Sequence, residues 1–592
     1  MRSFPLVRLR WSSEHIMAAL FIVLLLYMLP SWMDNPTELT GFIVLLLVAL
    51  MMDAAAGFIR YKRPVCSVSA AVTASILQLL TPGIPLWGRL AGVTAALLLG
   101  KHIWGGTGKN PLNPALTGLL LLGFFFRLEP VFAEPSLLYL PAMLLSLPFI
   151  LFRPFAGVGL ISGMALTMLS GGEYQVWTVA VYCIFFGCLI VTDPVTVTHK
   201  AVPGLIGGFA AGFVPLLLAS SSYYLAIGIL AFNLVSYLID MRLKNPKKRT
   251  SWNLLSIKSP VPKNGIESRL LDLTDGRVGE PDSCDIPEAG EILERIEKHG
   301  VFGMGGSGFP TTEKIRAFIK ADITKKFIII NGVECDPGLI HDKWLLRNRS
   351  NEINRGIEAL FSCTGLNRAY LAVKNTSGIP LKDNIELIGI PDIYPAGAER
   401  ILIEKVLGIR LPEGALPAGE GILVLNVQTV LAVYDAVFHR ADAGTRYITV
   451  SDLKSGKSMV ARVKLGDRIH GVLEKAYPGR TLAFAGGGVM QSHMADDDEV
   501  IDRSTNYIAS AIIPKYKESP QCSHCGLCRS NCPAGLEAGR IAELVDTGRI
   551  SETAVLMPDR CLGCGSCSYV CLAGRNLSAR VREAKKYSEV GK

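Results

Sequence analysis

Two cysteine runs near the C-terminus determine the fold of the last part of this chain: Cys522-Ser-His-Cys525-Gly-Leu-Cys528-Arg-Ser-Asn-Cys532-Pro533 and Cys561-Leu-Gly-Cys564-Gly-Ser-Cys567-Ser-Tyr-Val-Cys571. The spacing within each run is that of a protein holding two [4Fe-4S] clusters, each of which needs four thiolates. A zinc site or a disulfide framework is the competing interpretation, but neither uses two runs with this spacing. The sequence therefore predicts a small α-helical two-cluster domain over residues 511–592.

Each cluster is expected to take its fourth ligand from the other run, as in two-cluster ferredoxins. One cluster is then assigned to Cys522, Cys525, Cys528 and Cys571, and the other to Cys561, Cys564, Cys567 and Cys532. Leu572 stands where such a run usually continues with proline, a change that removes no ligand. The scattered cysteines lack ligand spacing and are expected to pack as small apolar residues; they are Cys66, Cys183, Cys188, Cys284, Cys335 and Cys363.

The first 240 residues are much more apolar than the rest of the chain. A length of 592 residues is too great for one domain, and a mean hydropathy of +0.35 is too high for an ordinary soluble protein. Several runs carry almost no charge and approach the length of a bilayer-spanning helix; they are residues 16–29, 41–52, 90–99, 137–151 and 179–191. We expect about ten spans, which makes residues 1–240 a polytopic α-helical membrane domain. The first run is interpreted as a retained helix, because further apolar runs follow it and no small-residue cleavage site is evident.

Basic residues precede the first expected span and follow the even-numbered ones. They include Arg2, Arg8, Arg10, Arg60, Lys62, Arg63, Lys101, Lys109, Arg153, His199, Lys200, Arg242 and Lys244. The positive-inside rule then places both termini in the cytoplasm of a prokaryotic cell, with the chain anchored in its inner membrane. Thiols stay reduced in that compartment. These bases account for much of the net charge of +9, and nothing in the sequence resembles a nucleic-acid-binding module.

A glycine-rich loop opens the soluble half, after residues 241–289, which we interpret as a linker and a short N-terminal segment. Gly303, Gly305, Gly306 and Gly308 lead into a predicted helix that carries Lys314. Such a loop lets backbone amides approach a phosphate closely, although many glycine loops simply form turns.

A predicted strand strengthens the interpretation of this loop as a binding site. The apolar run 327–330 is followed by Asn331, Glu334 and Asp336, at the end of a strand where α/β sheets bind their ligands. Glu334 has a competing interpretation as a helix cap or an ion-pair partner.

The glycine-rich loop and the strand with the polar residues after it together resemble the flavin-binding core of RnfC and of the FMN subunit of respiratory NADH dehydrogenases. Further matching pieces are residues 394–399, 425–429 and 501–506. The resemblance implies an α/β FMN- and NADH-binding core over residues 290–440, a β-grasp, SLBB-like domain over 441–510 and the ferredoxin-type domain over 511–592. The barrel-like domain that usually opens RnfC is missing or shortened here.

The same resemblance implies noncovalent FMN, with Glu334 as the catalytic residue. The implied cofactor-binding residues are Gly303, Gly305, Gly306, Gly308, Lys314, Asn331, Glu334, Tyr394, Gly397, Glu399, Asn426 and Thr429. NADH is the implied hydride donor, and the flavin would pass single electrons to the clusters. The sequence shows no acidic ribose-binding residue at a diagnostic spacing.

Two polar loops stand out in the apolar half, residues 105–118 and 191–200. Proline and asparagine at a helix end leave backbone groups that only protein or a polar cavity can satisfy. Asp193 is a functional candidate in that setting, and capping of the next helix is its alternative role.

These loops and the spans around them resemble the RnfD and NqrB membrane subunits. In that family a threonine carries a covalent FMN in a segment outside the cytoplasm. Residues 119–135 contain no Ser or Thr, so covalent FMN is not expected here. Residues 162–167, which end in Thr167, weakly resemble the acceptor motif, but they lie within an apolar span and are interpreted as helix packing.

The sequence thus predicts a fusion of an RnfD-type membrane domain with an RnfC-type electron-input domain. The expected function is that of a membrane-bound NADH dehydrogenase or electron-transfer component, working in either direction. The expected partners are other Rnf-like membrane subunits, a ferredoxin or another electron-transfer protein, NAD(H) and membrane lipid. The alternatives are an ion-translocating redox subunit and a membrane-anchored redox scaffold that does not oxidise NADH.

Overall fold

The computed structural model describes most of the chain. The described residues are 13–61, 67–104, 110–128, 132, 136–170, 176–193, 195–198, 201–218, 222–242, 255–274, 285–306, 308–376, 378–412, 414–511, 522 and 525–590. Several residues named in the sequence analysis lie outside this part; they are Arg2, Arg8, Arg10, Lys62, Arg63, Cys66, Lys109, His199, Lys200, Lys244 and Cys284.

The N-terminal half is helical. Its described α-helices are α1 (Ser13–Asp34), α2 (Thr37–Tyr61), α3 (Val68–Leu80), α4 (Leu86–Leu97), α5 (Pro114–Leu122), α6 (Tyr139–Ser146), α7 (Pro154–Ser170), α8 (Val176–Ile184), α9 (Ala201–Leu218) and α10 (Ser222–Arg242). Among the described helices, only α1 and α2 have both the length and the apolar composition needed to cross a membrane. The other described apolar helices are shorter, so the prediction of about ten spans stays a prediction. Three of them continue in other helix types, at Leu98–His102, Leu147–Phe152 and Phe185–Ile190.

The surface of this half is strongly apolar. Large side chains are exposed all around the helices, including Phe125 at 83%, Leu137 at 79% and Leu151 at 76%. Tyr27, Leu116 and Phe185 belong instead to an interior core that is closed to solvent. Apolar exposure on this scale is not stable in water and indicates contact with lipid or with partner proteins.

Glycine allows α7 and α9 to pack very closely. A side chain on Gly163 would overlap the carbonyl oxygen of Phe209, and one on Gly208 would overlap that of Ala156. Small residues at this spacing bring two backbones together where water supplies no hydrophobic driving force. Thr167 donates to the carbonyl oxygen of Gly163 in its own helix, as expected for a packing role.

Two of the basic residues expected in solvated loops are buried instead. Lys101 is 1% exposed and donates to Asp53 Oδ1 at 2.7 Å, and Arg153 is 8% exposed. Buried charges need partners, which both residues find inside the protein. The orientation that these residues helped to predict stays a prediction.

A four-stranded parallel sheet forms the centre of the soluble half. Its strands are β2 (Phe327–Gly332), β3 (Ala369–Val373), β4 (Ile385–Gly389) and β5 (Ile422–Asn426), in the order β4-β3-β2-β5. The chain order reverses between β2 and β5, so their carboxyl ends frame the crevice where such sheets bind ligands. The described helices around the sheet are α11 (Ala289–Lys298), α12 (Thr311–Lys320), α13 (His341–Asn348), α14 (Ser350–Thr364), α15 (Glu399–Leu407) and α16 (Val427–Phe438).

A second, six-stranded sheet follows in the chain. It comprises β1 (Ile266–Asp272), β6 (Thr445–Asp452), β7 (Lys457–Lys464), β8 (Ala483–Gly486), β9 (Ser492–Met494) and β10 (Tyr507–Ser510), in the order β1-β7-β6-β10-β8-β9, and α17 (Ile469–Ala476) packs on it. β1 pairs in parallel with β7. Residues 266–272, in the short N-terminal segment before the glycine loop, are thus part of this sheet.

Short helices form the C-terminal segment. They are α18 (Leu527–Ser530), α19 (Ala538–Asp546), α20 (Ser566–Tyr569) and α21 (Leu577–Val590). Their apolar residues, including Ile541 and Leu577, pack together with several of the cysteines.

Candidate functional site

A cavity of about 500 Å³ opens at the carboxyl ends of β2 and β5. Gly305, Gly306, Asn331 and Asn426 line one part of its wall. The opposite part comes from the second sheet and the cysteine segment, through Gly486, Gly487, Gln491, Leu562, Cys564 and Arg582. Three parts of the fold therefore enclose one space.

The glycine loop has the backbone geometry that its sequence predicts. Gly306 and Gly308 have φ angles of +106° and +62°, which other residues rarely adopt. Gly305 lies so close to Asn426 that an added Cβ would be 3.2 Å from the Asn426 Cβ. Gly305 and Gly306 thus reach the wall of the cavity, and Gly308 closes the loop by donating its N–H to the carbonyl oxygen of Gly303.

The backbone N–H and the carbonyl oxygen of Met304 both form hydrogen bonds with side chains that do not line the cavity. Thr429 Oγ1 accepts the Met304 N–H at 2.9 Å, and Arg446 Nη2 donates to the Met304 carbonyl oxygen at 3.1 Å. Thr429 is buried and does not line the cavity. It positions the loop, whereas the sequence analysis expected it to contact the cofactor.

Lys314 and Glu399 contact each other at 2.7 Å, and neither lines the cavity. Lys314 Nζ also donates to the carbonyl oxygen of Val424 in β5. The charges of Lys314 and Glu399 thus pair with each other, and their predicted contact with the cofactor stays a prediction. Gly303 is likewise outside the wall, and its N–H donates to the carbonyl oxygen of Phe309.

Asn331, Gly397 and Asn426 form one connected edge of the cavity. Asn331 Nδ2 donates to the carbonyl oxygen of Gly397 at 2.9 Å. Asn426 Nδ2 donates to Asp342 Oδ2 at 2.7 Å, while its Oδ1 caps α16 by accepting from the Gln428 N–H.

Glu334, His341 and Asp342 form a buried group that the sequence motifs indicate only in part. Glu334 Oε1 accepts the N–H of Asp342 at 2.8 Å, and its backbone has a positive φ of 47°. Burial raises the pKa of Glu334 to about 8 and that of Asp342 to about 7, and it lowers the pKa of His341 to about 3. The carboxyl pair therefore binds proton more tightly than separate carboxylates in water would, beside an imidazole that burial keeps neutral.

Ligand-type atoms of these three residues lie within 4.8 Å of one another, a separation that a metal ion would also fit. His341 Nδ1 already contacts Thr449 Oγ1 at 3.0 Å. Asp342 Oδ1 is buried and has no hydrogen-bond partner within the part of the chain that the structure describes. A buried oxygen in a cavity wall without a partner is what a bound polar ligand would satisfy.

The second sheet also contributes to the cavity, although no site residue was predicted in it. Asp336 accepts N–H groups from Gly338, Val489 and Met490, which fixes the loop after β8 against the cavity. Burial raises the pKa of Asp336 to about 6. The run Gly486-Gly487-Gly488 after an apolar strand was the available signal for this loop.

The structure brings the first cysteine set together across the two runs. Cys522, Cys525 and Cys571 lie near enough to Cys528 to raise its pKa, after burial as the main cause. A Cβ on Gly539 would be 3.3 Å from Cys528 Sγ and 3.6 Å from Cys522 Sγ. Glycine at this position lets both sulfur atoms reach α19.

The second set converges in the same way. Cys532, Cys561, Cys564 and Cys567 line one small apolar cavity. Burial raises the pKa of Cys564 to about 12, and Cys532 and Cys561 contribute to the rise. The Gly563 N–H points at Cys561 Sγ, 3.4 Å away, as amides do around cluster sulfurs.

Four converging thiols in an apolar pocket fit an iron-sulfur cluster, since the metal replaces the thiol protons and satisfies the sulfur atoms. The large cavity fits a flavin nucleotide by its volume, its glycine wall and the unpartnered Asp342 Oδ1.

Tyr394 connects the large cavity to the second set. Its buried hydroxyl donates to the carbonyl oxygen of Cys564 at 2.5 Å, and the ring lines the cavity. Cys335, expected to pack as a small apolar residue, also lines the cavity, whereas Cys183, Cys188 and Cys363 are buried as expected.

The polar residues of the two apolar-half loops satisfy backbone groups. Asn113 caps α5 by accepting the N–H groups of Ala115 and Leu116. Asp193 accepts the N–H of Val195 and the hydroxyl of Thr196. These contacts close a turn over residues 193–196, before α9 begins at Ala201, so they do not cap that helix.

Three family models match separate segments of the chain. The NQR2, RnfD, RnfE family matches residues 1–133, the Nuo51 FMN-binding domain matches 296–435, and the 4Fe-4S dicluster domain matches 521–574. The predicted union of an RnfD/NqrB-type membrane segment with FMN-binding and iron-sulfur segments is confirmed.

Curated relatives match the soluble half. A subunit of the Na(+)-translocating ferredoxin:NAD(+) oxidoreductase complex of Acetobacterium woodii is 27% identical over 298 residues, which are 47% of this chain and 66% of that protein. A subunit of the ion-translocating oxidoreductase complex of Rhodobacter capsulatus is 30% identical, over 45% of this chain and 53% of its own length. Cobalamin reductase PduS of Salmonella typhimurium is 30% identical, over 42% of this chain and 59% of its own length. The chain thus spans between 53% and 66% of the length of these relatives.

Proposed function

We propose that this chain is a membrane-bound electron-transfer subunit whose large cavity takes a noncovalent FMN and whose two cysteine sets each take a [4Fe-4S] cluster. The observation that carries the proposal is the continuity of the cavity wall, which runs from Gly305 and Gly306 to Cys564 of the second set. When bound, a flavin accepts two electrons from a hydride donor and releases them one at a time, and clusters carry one electron each. The names of the relatives, which include oxidoreductase subunits and a reductase, support this class of reaction.

The residues of the cavity have separable roles in this proposal. The backbone at Gly305 and Gly306 faces the ligand, and Asn331 and Asn426 hold the carboxyl ends of β2 and β5 together around it. Glu334 keeps a proton at the cavity wall near neutral pH, beside the site where a hydride donor would react. We therefore keep Glu334 as the proposed catalytic residue.

The finer assignments belong to the same proposal. NADH is the proposed hydride donor, and a ferredoxin or another electron-transfer protein exchanges electrons with the clusters in either direction. Residues 441–510 act as an SLBB-like β-grasp domain, and the soluble half lies on the cytoplasmic side of the inner membrane. Other Rnf-like subunits and lipid cover the exposed apolar surface of residues 13–242.

Cofactor content tests the proposal directly. The anaerobically purified chain is expected to contain about eight iron atoms, as two cubane clusters require. It should also release one FMN on acid denaturation and reduce an artificial acceptor with NADH. Iron-free protein, or bound zinc in place of iron, would contradict the cluster assignment. Protein with iron but without flavin would contradict the assignment of the cavity.

A second candidate is ion translocation coupled to this electron transfer. It is favoured by the buried pair of Asp53 and Lys101 within the apolar half, because ionisable groups in such a setting usually have a functional role. Vesicles containing the chain and its partners should then show cation-dependent NADH oxidation, and Asp53→Asn should abolish that dependence without changing FMN content. Equal turnover with and without added sodium ion, and with and without a protonophore, would exclude this candidate.

A further inference from the structure

Arg153 of the membrane half contacts the first cysteine run directly. Its Nη2 donates to the carbonyl oxygen of Cys525 at 3.2 Å, across 372 positions of sequence. Its Nε donates to the carbonyl oxygen of Val197 at 2.8 Å, and its Nη1 to that of Phe152 at 2.9 Å. One guanidinium therefore joins the start of α7, the loop before α9 and a predicted cluster ligand.

This guanidinium is buried, so its charge acts over a short distance with little screening. Arg153 is 8% exposed, and a buried charge is stable only when hydrogen bonds and a counter-charge replace water. Asp193 is close enough to interact electrostatically with it. The planar fork of arginine suits contacts with three carbonyl groups at once, which lysine cannot reproduce.

The two cysteine sets face different parts of the molecule. The second set faces the large cavity, where Cys564 accepts from Tyr394 and where Arg582 lies near Cys561 and Cys567. The first set faces the membrane half through Cys525 and Arg153. Each set thus has a neighbouring arginine of its own.

We propose that Arg153 is a positioning residue through which the membrane half holds the Cys525 loop and raises the reduction potential of the cluster bound by Cys522, Cys525, Cys528 and Cys571. A fixed positive charge nearby favours the more negative, reduced cluster, and the hydrogen bond to the Cys525 carbonyl oxygen holds that charge beside the ligand loop. The first cluster is then the one that exchanges electrons with acceptors at the membrane half. This inference rests on the proposed function, because it requires both clusters.

The test is an anaerobic redox titration of the full chain in lipid nanodiscs, followed by low-temperature EPR of the clusters. Arg153→Gln removes the charge but keeps a hydrogen-bond donor, and Arg153→Lys keeps the charge but loses the fork. We expect Arg153→Gln to lower the midpoint potential of one cluster by about 59 mV, which is a tenfold change in its oxidised-to-reduced ratio. Arg153→Lys should shift the same cluster by less than half as much. Arg582→Gln is the matched variant and should shift the other cluster.

The possible results distinguish a failure of the inference about Arg153 from a failure of the proposed function. If Arg153→Gln leaves both potentials unchanged, or shifts the cluster that Arg582→Gln shifts, Arg153 does not tune the first cluster. If the wild-type chain shows no pair of cluster signals, the proposed function itself fails. Two cluster signals in the wild type, together with a potential shift confined to one cluster in Arg153→Gln, would establish the inference.

Discussion

At the scale of single residues, the conformations of Gly306 and Gly308 are what bring the loop backbone to the cavity. Alanine at a φ of +106° costs about 1–3 kcal/mol of strain and redirects the neighbouring amides. We therefore expect Gly306→Ala to weaken FMN binding by about tenfold to a hundredfold, measured by quenching of flavin fluorescence. Gly290→Ala is the control, because an added Cβ at Gly290 meets no atom within 4 Å. Equal FMN affinity in both variants would show that the glycine loop does not bind the flavin.

The buried carboxyls at the cavity make stability depend on pH. Folding raises the pKa of Glu334 from 4.5 to about 8, so the folded chain binds more proton than the unfolded chain between these values. The stability that this group contributes is fully present below pH 4.5 and is lost as the pH rises through about 8. His341, with a pKa lowered by burial from 6.5 to about 3, has the opposite effect, but only below its ordinary value. Above pH 7, the difference between the wild type and a Glu334 variant therefore reports this carboxyl.

We expect the flavin-free chain to melt at a lower temperature at pH 9 than at pH 7, and Glu334→Gln to show a smaller decrease because it has no proton to lose. Calorimetry of the two proteins at both pH values is the measurement. Glu313→Gln, on the exposed face of α12, should behave like the wild type. An identical decrease in the wild type and Glu334→Gln would mean that Glu334 is already ionised at pH 7.

Sequence reasoning at this scale found the residues of the site better than their roles. The family resemblance implied Lys314, Glu399 and Thr429, but a sequence motif does not show which way a side chain points. Lys314 and Glu399 neutralise each other, and Thr429 supports Met304. Asp342 was missed because it lies in the first turn of a helix, where a carboxylate usually faces solvent.

At the scale of elements, the contact between α7 and α9 is the most demanding in the apolar half. Gly163→Ala would place a methyl group on the carbonyl oxygen of Phe209, and overpacking of this kind typically costs about 1–3 kcal/mol. Gly204→Ala is a matched control in the same pair of helices, because its Cβ would have ordinary contacts of 3.4 Å or more. We expect a lower melting temperature in detergent for Gly163→Ala only. Equal melting temperatures would mean that the two helices can move apart without a loss of stability.

The elements differ in how far the sequence predicts them. The strand β2 and the helix α12 follow from local pattern, because an apolar run and a glycine loop bound them. The pairing of β1 with β7 joins residues almost 200 positions apart and leaves no local signal. The apolar runs mark the positions of the helices in the apolar half, but hydropathy does not show that a helix changes type near its end, as at Phe185–Ile190.

At the scale of the whole molecule, the two halves have separate hydrophobic cores. The described clusters fall either within residues 13–242 or within 255–590, and no cluster contains residues from both. We therefore expect a fragment of residues 255–592 to fold and to retain NADH-dependent reduction of an artificial acceptor. Gel filtration and an anaerobic assay would show this. An aggregated or flavin-free fragment would mean that contacts such as that of Arg153 are needed for folding.

The order of the parts is the central claim of this account: the glycine-lined cavity, then the second cysteine set, then the first set and the membrane half. The cysteine spacing predicted the two sets, but only the fold shows which set borders the cavity. The most direct test is an anaerobic titration of the purified chain with NADH, in which flavin absorbance and cluster EPR are followed together. The account predicts that the flavin band bleaches and that signals of reduced clusters appear in the same titration. Bound flavin that stays oxidised with NADH, while dithionite or a reduced ferredoxin reduces the clusters, would contradict it.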